Sequence, residues 1–322
     1  MMRDAAAGSV VMTGFSSRRA ALHRRALLAA AFAMIPTCAF AQDAPTIQTP
    51  DRLRGGRLST PVFINGRGPF DFAVDSAANA SVIAQDLAES LSLAPAGPIA
   101  MHTLIAREVV ETVRAPTVRS GALQSADVRF ALAPRMGLNG ADGLIGSDLL
   151  AGHRLVLNFR GVALATISHS RREGDSFLSA RRPTARFQTP TDERLNGLLM
   201  IDVRSRTARA KAIIDTGAEV TIVNTAFARA AGASPITLRD GSRSQRVSSP
   251  TGLSVDAAAV MLPNLHLAGI GLEQVPALAG DFHTFEVWGL ADRPAALLGV
   301  DVLGLFETAI IDLKRGELVL EL

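Results

Sequence analysis

Phe72-Ala73-Val74-Asp75-Ser76-Ala77-Ala78-Asn79-Ala80-Ser81-Val82-Ile83 and Ala212-Ile213-Ile214-Asp215-Thr216-Gly217-Ala218-Glu219-Val220-Thr221-Ile222-Val223 are one phrase written twice. Each is an apolar strand, an Asp-hydroxyl-small-Ala turn and a second apolar strand, followed by a short helix-like segment, Asp86 to Leu91 or Thr225 to Ala230. Such self-similarity is the first thing to settle, because a missed repeat misreads the whole fold. The copies also close alike: Gly143-Leu144-Ile145-Gly146-Ser147-Asp148-Leu149-Leu150 is mirrored by Ala296-Leu297-Leu298-Gly299-Val300-Asp301-Val302-Leu303. Hairpin-like tails follow over 155–164 and 309–320, with an Asn or Asp and a Gly at matching places. From Asp to closing Gly is 71 residues in the first copy and 84 in the second, so the variable length lies in the middle, where a mobile hairpin can sit.

Outward from the repeat, short apolar and β-branched runs alternate with Gly, Pro, Asn and Asp, the signature of strands and tight turns. Pro61-Val62-Phe63-Ile64, then Asn65-Gly66, then Phe70 to Val74 reads as a hairpin, since Asn-Gly supplies the positive φ angles of a two-residue turn. That hairpin delivers the chain to Asp75. The fold class implied is mostly β, in two tandem lobes, with short helices.

The 322 residues, 48% hydrophobic and 20% charged, exclude a disordered tail, a coiled coil and a disulfide-stapled mini-domain. Aromatic residues are only 5%, with one Trp and no Tyr, which argues against a stacking platform for single-stranded nucleic acid. Residues 1–41 read as a signal peptide: Arg18, Arg19, Arg24 and Arg25, an apolar run from Ala26 to Ile35, and an Ala39-Phe40-Ala41 cleavage site before Gln42. The run is shorter than the roughly 20 residues that span a bilayer, so no permanent membrane span is expected. Cys38, the one cysteine, lies in the leader, and Arg24-Arg25 leaves the export route open. The leader carries five Arg and one Asp, so the remainder is nearly neutral. The expected organisation is a signal peptide at 1–41, an approach segment at 42–58, a first lobe at 59–170, a linker at 171–194 and a second lobe at 195–322. Arg171, Arg172, Arg181, Arg182 and Arg186 in the linker read as a solvated segment rather than a nucleic-acid patch.

Apolar-Asp-hydroxyl-small-Ala followed by apolar-apolar-Gly, present twice and reading Asp-Thr-Gly-Ala in the second copy, resembles the aspartic proteases, and the lobe size resembles their bacterial retropepsin-like branch. The resemblance covers nearly all of 59–322 and implies two β-barrel lobes related by a pseudo-two-fold axis. It implies that Asp75 and Asp215 face each other as the catalytic pair. It also implies that Ser76 and Thr216 lock the two loops across the lobe boundary, and that Ala77 and Gly217 lie where the substrate backbone passes. Both lobes sit in one chain, so a monomer suffices, and neither cofactor nor metal is required.

Two carboxylates have a chemical reason to pair. At about 3 Å apart they cannot both ionise cheaply and share one proton, the known behaviour of dyads in this family. The ionised member draws a proton from a water that attacks the scissile amide, and the protonated member stabilises the oxyanion. The implied function is an aspartic endopeptidase acting on an extended polypeptide with apolar residues near the cut, exported to the periplasm or secreted.

Two departures from the pattern stand out. Ala77 replaces the usual Gly, adding a methyl group and resisting any positive φ. Ala78 and Ala218 carry no hydroxyl where acid-active members often have one, which predicts an optimum of about pH 4–6 rather than that of a digestive pepsin. The rival reading is a weak or inactive bilobed peptide-binding protein of the same fold. Carboxylates working on a sugar bond would sit about 5 Å or more apart. Flap candidates are residues 99–112 and the stretch from Asp240 to Gly252. His102, His153, His169, His266 and His283 are isolated in sequence, with no zinc, serine-hydrolase or phosphate-loop pattern. Asp142, Asp148 and Asp301 read as solvated or loop-capping residues.

Overall fold

The computed structural model describes residues 57–160, 164–170, 184–186, 198–267 and 269–321. The leader, most of the approach segment and most of the linker lie outside the described residues. In the first lobe the strand order is Ser59–Ile64, Arg67–Val74, Gly143–Ile145, Val82–Ala84, Leu123–Ala133, Arg107–Ser120 and Ala94–His102. Pairing of Ser59–Ile64 with Arg107–Ser120 closes six of these into a barrel. The second lobe repeats the order with Met200–Ser205, Ala208–Ile214, Ala295–Leu298, Ile222–Val223, Ile270–Ala279 and Ser254–Leu267, closed where Arg204 pairs with His266. The fold is therefore mostly β, in two tandem barrel lobes of retropepsin-like type.

Local sequence explains the entry to the site. Asn65 and Gly66 take φ of 52° and 76°, the two-residue turn that their identities demand, and Ile64 pairs with Arg67 across it. The strands leading to each Asp run parallel to the closing strands and are buried, which is why both read as near-continuous apolar runs. Volume is exchanged between copies at one matched pair. Phe72 faces Gly143, where a Cβ would overlap its ring, whereas Ala212 faces Ala296. In the first lobe the ring takes the room above its glycine, and in the second two methyl groups face each other.

A third sheet joins the lobes. Its order is Thr184–Arg186, Glu317–Glu321, Thr308–Asp312, His153–Asn158 and Leu164–His169, so the two tails are halves of one structure. Leu155, Leu157, Ile311, Leu318 and Leu320 are fully buried beneath it, each contributing about 1.5–3 kcal/mol of apolar burial. Residues 184–186, within the expected linker, form its edge on Glu317–Glu321. Among the described residues no helix is long and apolar enough to cross a membrane.

Candidate active site

The end of each apolar strand is pinned to its closing strand. Asp75 N donates to Ile145 O and Asp215 N to Leu298 O, both at 2.9 Å. The turns that follow lie against the closing glycines: a Cβ on Gly146 would sit 2.9 Å from Ala78 O, and one on Gly299 2.8 Å from Ala218 O. These two glycines are required by close backbone approach. Behind them Ser81 Oγ donates to Asp148 at 2.7 Å and Thr221 Oγ1 to Asp301 at 2.8 Å. Asp148 and Asp301 are thus loop-capping, as one expectation had it. The solvated alternative does not hold for Asp301, whose carboxyl is pushed up to about 6 by burial against the opposing hydrogen bonds from Thr221 and Val302. Asp142 pairs with Arg135 and accepts from Asp71 N.

At the lobe boundary the two hydroxyls are exchanged. Ser76 Oγ donates to Ile214 O at 2.6 Å and accepts from Thr216 N at 3.2 Å, while Thr216 Oγ1 donates to Val74 O at 2.7 Å and accepts from Ser76 N at 3.0 Å. Both residues are fully buried, so all four polar groups are paired without water.

The carboxylates stand on this lattice. Asp75 Oδ1 accepts from Ala77 N and Ala78 N at 3.0 and 2.8 Å, and Asp215 Oδ1 accepts from Gly217 N at 2.9 Å. The Asp75 carboxyl packs directly on the Cα of Gly217, where any Cβ would overlap it. Asp215 is held well above the usual carboxylate range, first by burial and then by the charge of Asp75. The Arg57 charge and the amides of Gly217 and Ala218 act in the opposite direction. The resistance of Ala77 to a positive φ is not called on: neither Ala77 nor Gly217 adopts one. The requirement for Gly in the second copy is steric, set by Asp75 of the other lobe.

A cleft of about 910 Å³ opens above the loops, lined by Asp75, Ala77 and Gly217 together with Arg57, Leu198, Glu219 and Trp288, and Asp75 and Asp215 are each half-buried. Both flap candidates cross over it to the opposite lobe. The first turns at 103–106, where Thr103 Oγ1 accepts from Ile105 N and Ala106 N, and Leu104 O accepts from Thr284 N at 3.3 Å. Beside it His102 and His283 stack at 5.2 Å, with Nδ1 and Nε2 3.0 Å apart. The second turns at 249–252, with Thr251 Oγ1 donating to Glu108 at 2.6 Å and Pro250 so close to Gly137 that a Cβ there would overlap its carbonyl. Among the described residues no group of three His, Cys, Asp or Glu could hold a metal.

Sequence reading missed Arg57, Glu219, Asn139 and the His102–His283 contact. Glu219 was recoverable as the eighth residue of the repeated phrase, matched to Asn79. His102 and His283 carry no local signal, because flap crossing alone brings them together.

Comparison with known proteins gives the family. No curated protein matches the sequence. Among solved structures, a retropepsin-like aspartic protease from Rickettsia conorii shares 19% identity over 45% of this chain and 95% of its own, with a TM-score of 0.29. The soybean basic 7S globulin shares 10% identity over 82% of this chain and 91% of its own, at a TM-score of 0.44. Conglutin gamma, a basic 7S globulin from lupine seeds, shares 10% over 82% of this chain and 94% of its own, at 0.39. Residues 60–149 and 199–302, one segment in each lobe, match the aspartyl protease family, and the chain belongs to that family.

Proposed function

We propose that the protein is an aspartic endopeptidase that hydrolyses an extended polypeptide with a water shared between Asp75 and Asp215. The observation that carries this reading is the seating of the Asp75 carboxyl on Gly217, inside the loop that bears Asp215. Burial and the charge of Asp75 raise Asp215, so Asp215 is the member of the pair on which the shared proton is favoured. Asp75, which lines the cleft, is placed to draw a proton from the attacking water, and Asp215 to donate to the oxyanion as it forms. Collapse of the tetrahedral intermediate passes a proton to the leaving amine. The hydroxyl exchange between Ser76 and Thr216 keeps both loops fixed through these steps, so little reorganisation accompanies the reaction. Substrate lies as a strand beneath the two crossing flaps, with alternate side chains in the two halves of the cleft.

The test is incubation of the wild-type protein and Asp215→Asn with a denatured polypeptide from about pH 3 to pH 7, a range that brackets ordinary and raised carboxyl values. Cleavage by the wild type alone supports the reading. Cleavage by neither favours the peptide-binding alternative, and equal cleavage by both rules out the pair. The reading of 1–41 as a leader supports export, and an N-terminus at Gln42 on protein recovered outside the cytoplasm is the result expected. A single chain carrying both lobes is expected to elute as a monomer in size-exclusion chromatography.

A further inference from the structure

The two halves of the cleft differ in polarity at matched positions. Leu58 O accepts from Val74 N at 3.1 Å and Leu199 O from Ile214 N at 2.9 Å, so these leucines are equivalent in the two lobes. The residue before each is then a matched pair as well, Arg57 and Leu198, and both line the cleft. Leu198 is apolar and buried. Arg57 brings a guanidinium whose Nε and Nη1 are buried and have no hydrogen-bond partner among the described residues. The contrast recurs one shell away, where Asn79 in the first loop is matched by Glu219 in the second, and both line the cleft. Glu219 accepts from Asn139 Nδ2 at 2.9 Å, and although the Arg57 charge acts on both Glu219 and Asp215, neither carboxyl hydrogen-bonds its buried Nε and Nη1.

Guanidinium nitrogens removed from water without an acceptor are costly, and the cost is relieved when an acceptor enters. The planar fork of Arg fits a carboxylate best, through two parallel charge-assisted bonds. We propose that Arg57 is a specificity-determining residue that pairs with an Asp or Glu side chain of the bound polypeptide, while the half of the cleft bearing Leu198 takes an apolar side chain. The inference rests on the peptidase reading for cleavage and on the cleft alone for binding. Glu219 faces the same guanidinium, with burial raising its carboxyl and the charge of Arg57 lowering it.

Binding is tested in the full-length Asp215→Asn chain, with Trp288 as reporter, because it is the one Trp in the sequence and lines the cleft. Peptides with an apolar pair at the centre carry Glu, Gln or Lys at each of the flanking positions in turn. At about pH 6 one register, on one side only, should bind the Glu peptide about tenfold more tightly than the Gln peptide. Arg57→Gln should bring the ratio to near unity, and Arg57→Lys should restore part of it. Equal binding of Glu and Gln peptides in every register overturns the inference, as does a preference that survives Arg57→Gln. Mapping the cuts made by the active protein in a denatured polypeptide separates the two claims. Cleavage without one-sided acidic enrichment sinks the role of Arg57 and leaves the peptidase. Carboxylate-selective binding without cleavage leaves the role of Arg57 and sinks the peptidase.

Discussion

Ser76 and Thr216 satisfy each other's backbone across the lobe boundary: each amide donates to the other's hydroxyl, and each hydroxyl donates to the residue preceding the other's Asp. Thr216→Val keeps the shape and removes both roles, leaving Ser76 N and Val74 O buried and unpaired. The expected loss in urea unfolding is about 1–3 kcal/mol per orphaned group. Thr216→Ser keeps the hydroxyl and gives up one methyl group, so it should stay within about 1 kcal/mol of wild type.

Gly217 and Ala77 occupy matched positions with opposite tolerance. A methyl group on Gly217 would collide with the Asp75 carboxyl, which must then leave its amide donors at Ala77 and Ala78. Gly217→Ala should lower kcat/KM at least about a hundredfold, as a displaced catalytic group does. Ala77→Gly should leave kcat/KM at or above wild type, because it removes a methyl group that lines the cleft and collides with neither carboxyl. A silent Gly217→Ala would contradict the seating of Asp75.

These two positions show what the sequence carried. The repeat displayed Asp75, Asp215, Ser76 and Thr216 because their chemistry fixes type and order along the chain. Asn65-Gly66 was legible because a two-residue turn is local. The Gly of the pattern has two physical meanings, conformational freedom and absence of a Cβ, and only the second operates here, since neither Ala77 nor Gly217 takes a positive φ. Arg57 gave no signal as a lone Arg ahead of a strand. The joining sheet was invisible for another reason: two tails that each read as hairpins do not reveal that Ile310 will pair with Val156.

The His102–His283 contact predicts a pH-dependent flap. Burial, the charge of His283 and the charge of Arg107 all lower His102 below its ordinary 6.5, and His283 Nδ1 faces Glu286 at 3.8 Å. A His with a lowered value in the docked state stabilises docking when neutral. That stabilisation is complete above 6.5 and is lost as pH falls below it. Hydrogen exchange at Thr284 N, which donates to Leu104 O, should therefore lose protection between about pH 7 and pH 5. His102→Gln should remove the trend. Wild-type protection that does not vary with pH, after correction for intrinsic exchange, would refute the flap account.

Asp301 makes the opposite contribution to the whole fold. Its carboxyl rises from 3.8 unfolded to about 6 folded, so folding favours the protonated form. The stabilisation is full below 3.8 and disappears as pH rises through about 6, a change of about 3 kcal/mol for a shift of this size. In urea unfolding at several pH values, Asp301→Asn should flatten this part of the profile relative to wild type. An unchanged slope in the variant would assign the pH dependence elsewhere.

The central claim is that Asp75 and Asp215 work as one acid–base unit, and the pH dependence of kcat/KM for a polypeptide substrate tests it most directly. The account predicts a bell with its maximum at about pH 4–6, set by two apparent values belonging to the pair, and loss of the activity in both Asp75→Asn and Asp215→Asn. A maximum near pH 2, or either variant retaining the wild-type profile, would contradict it.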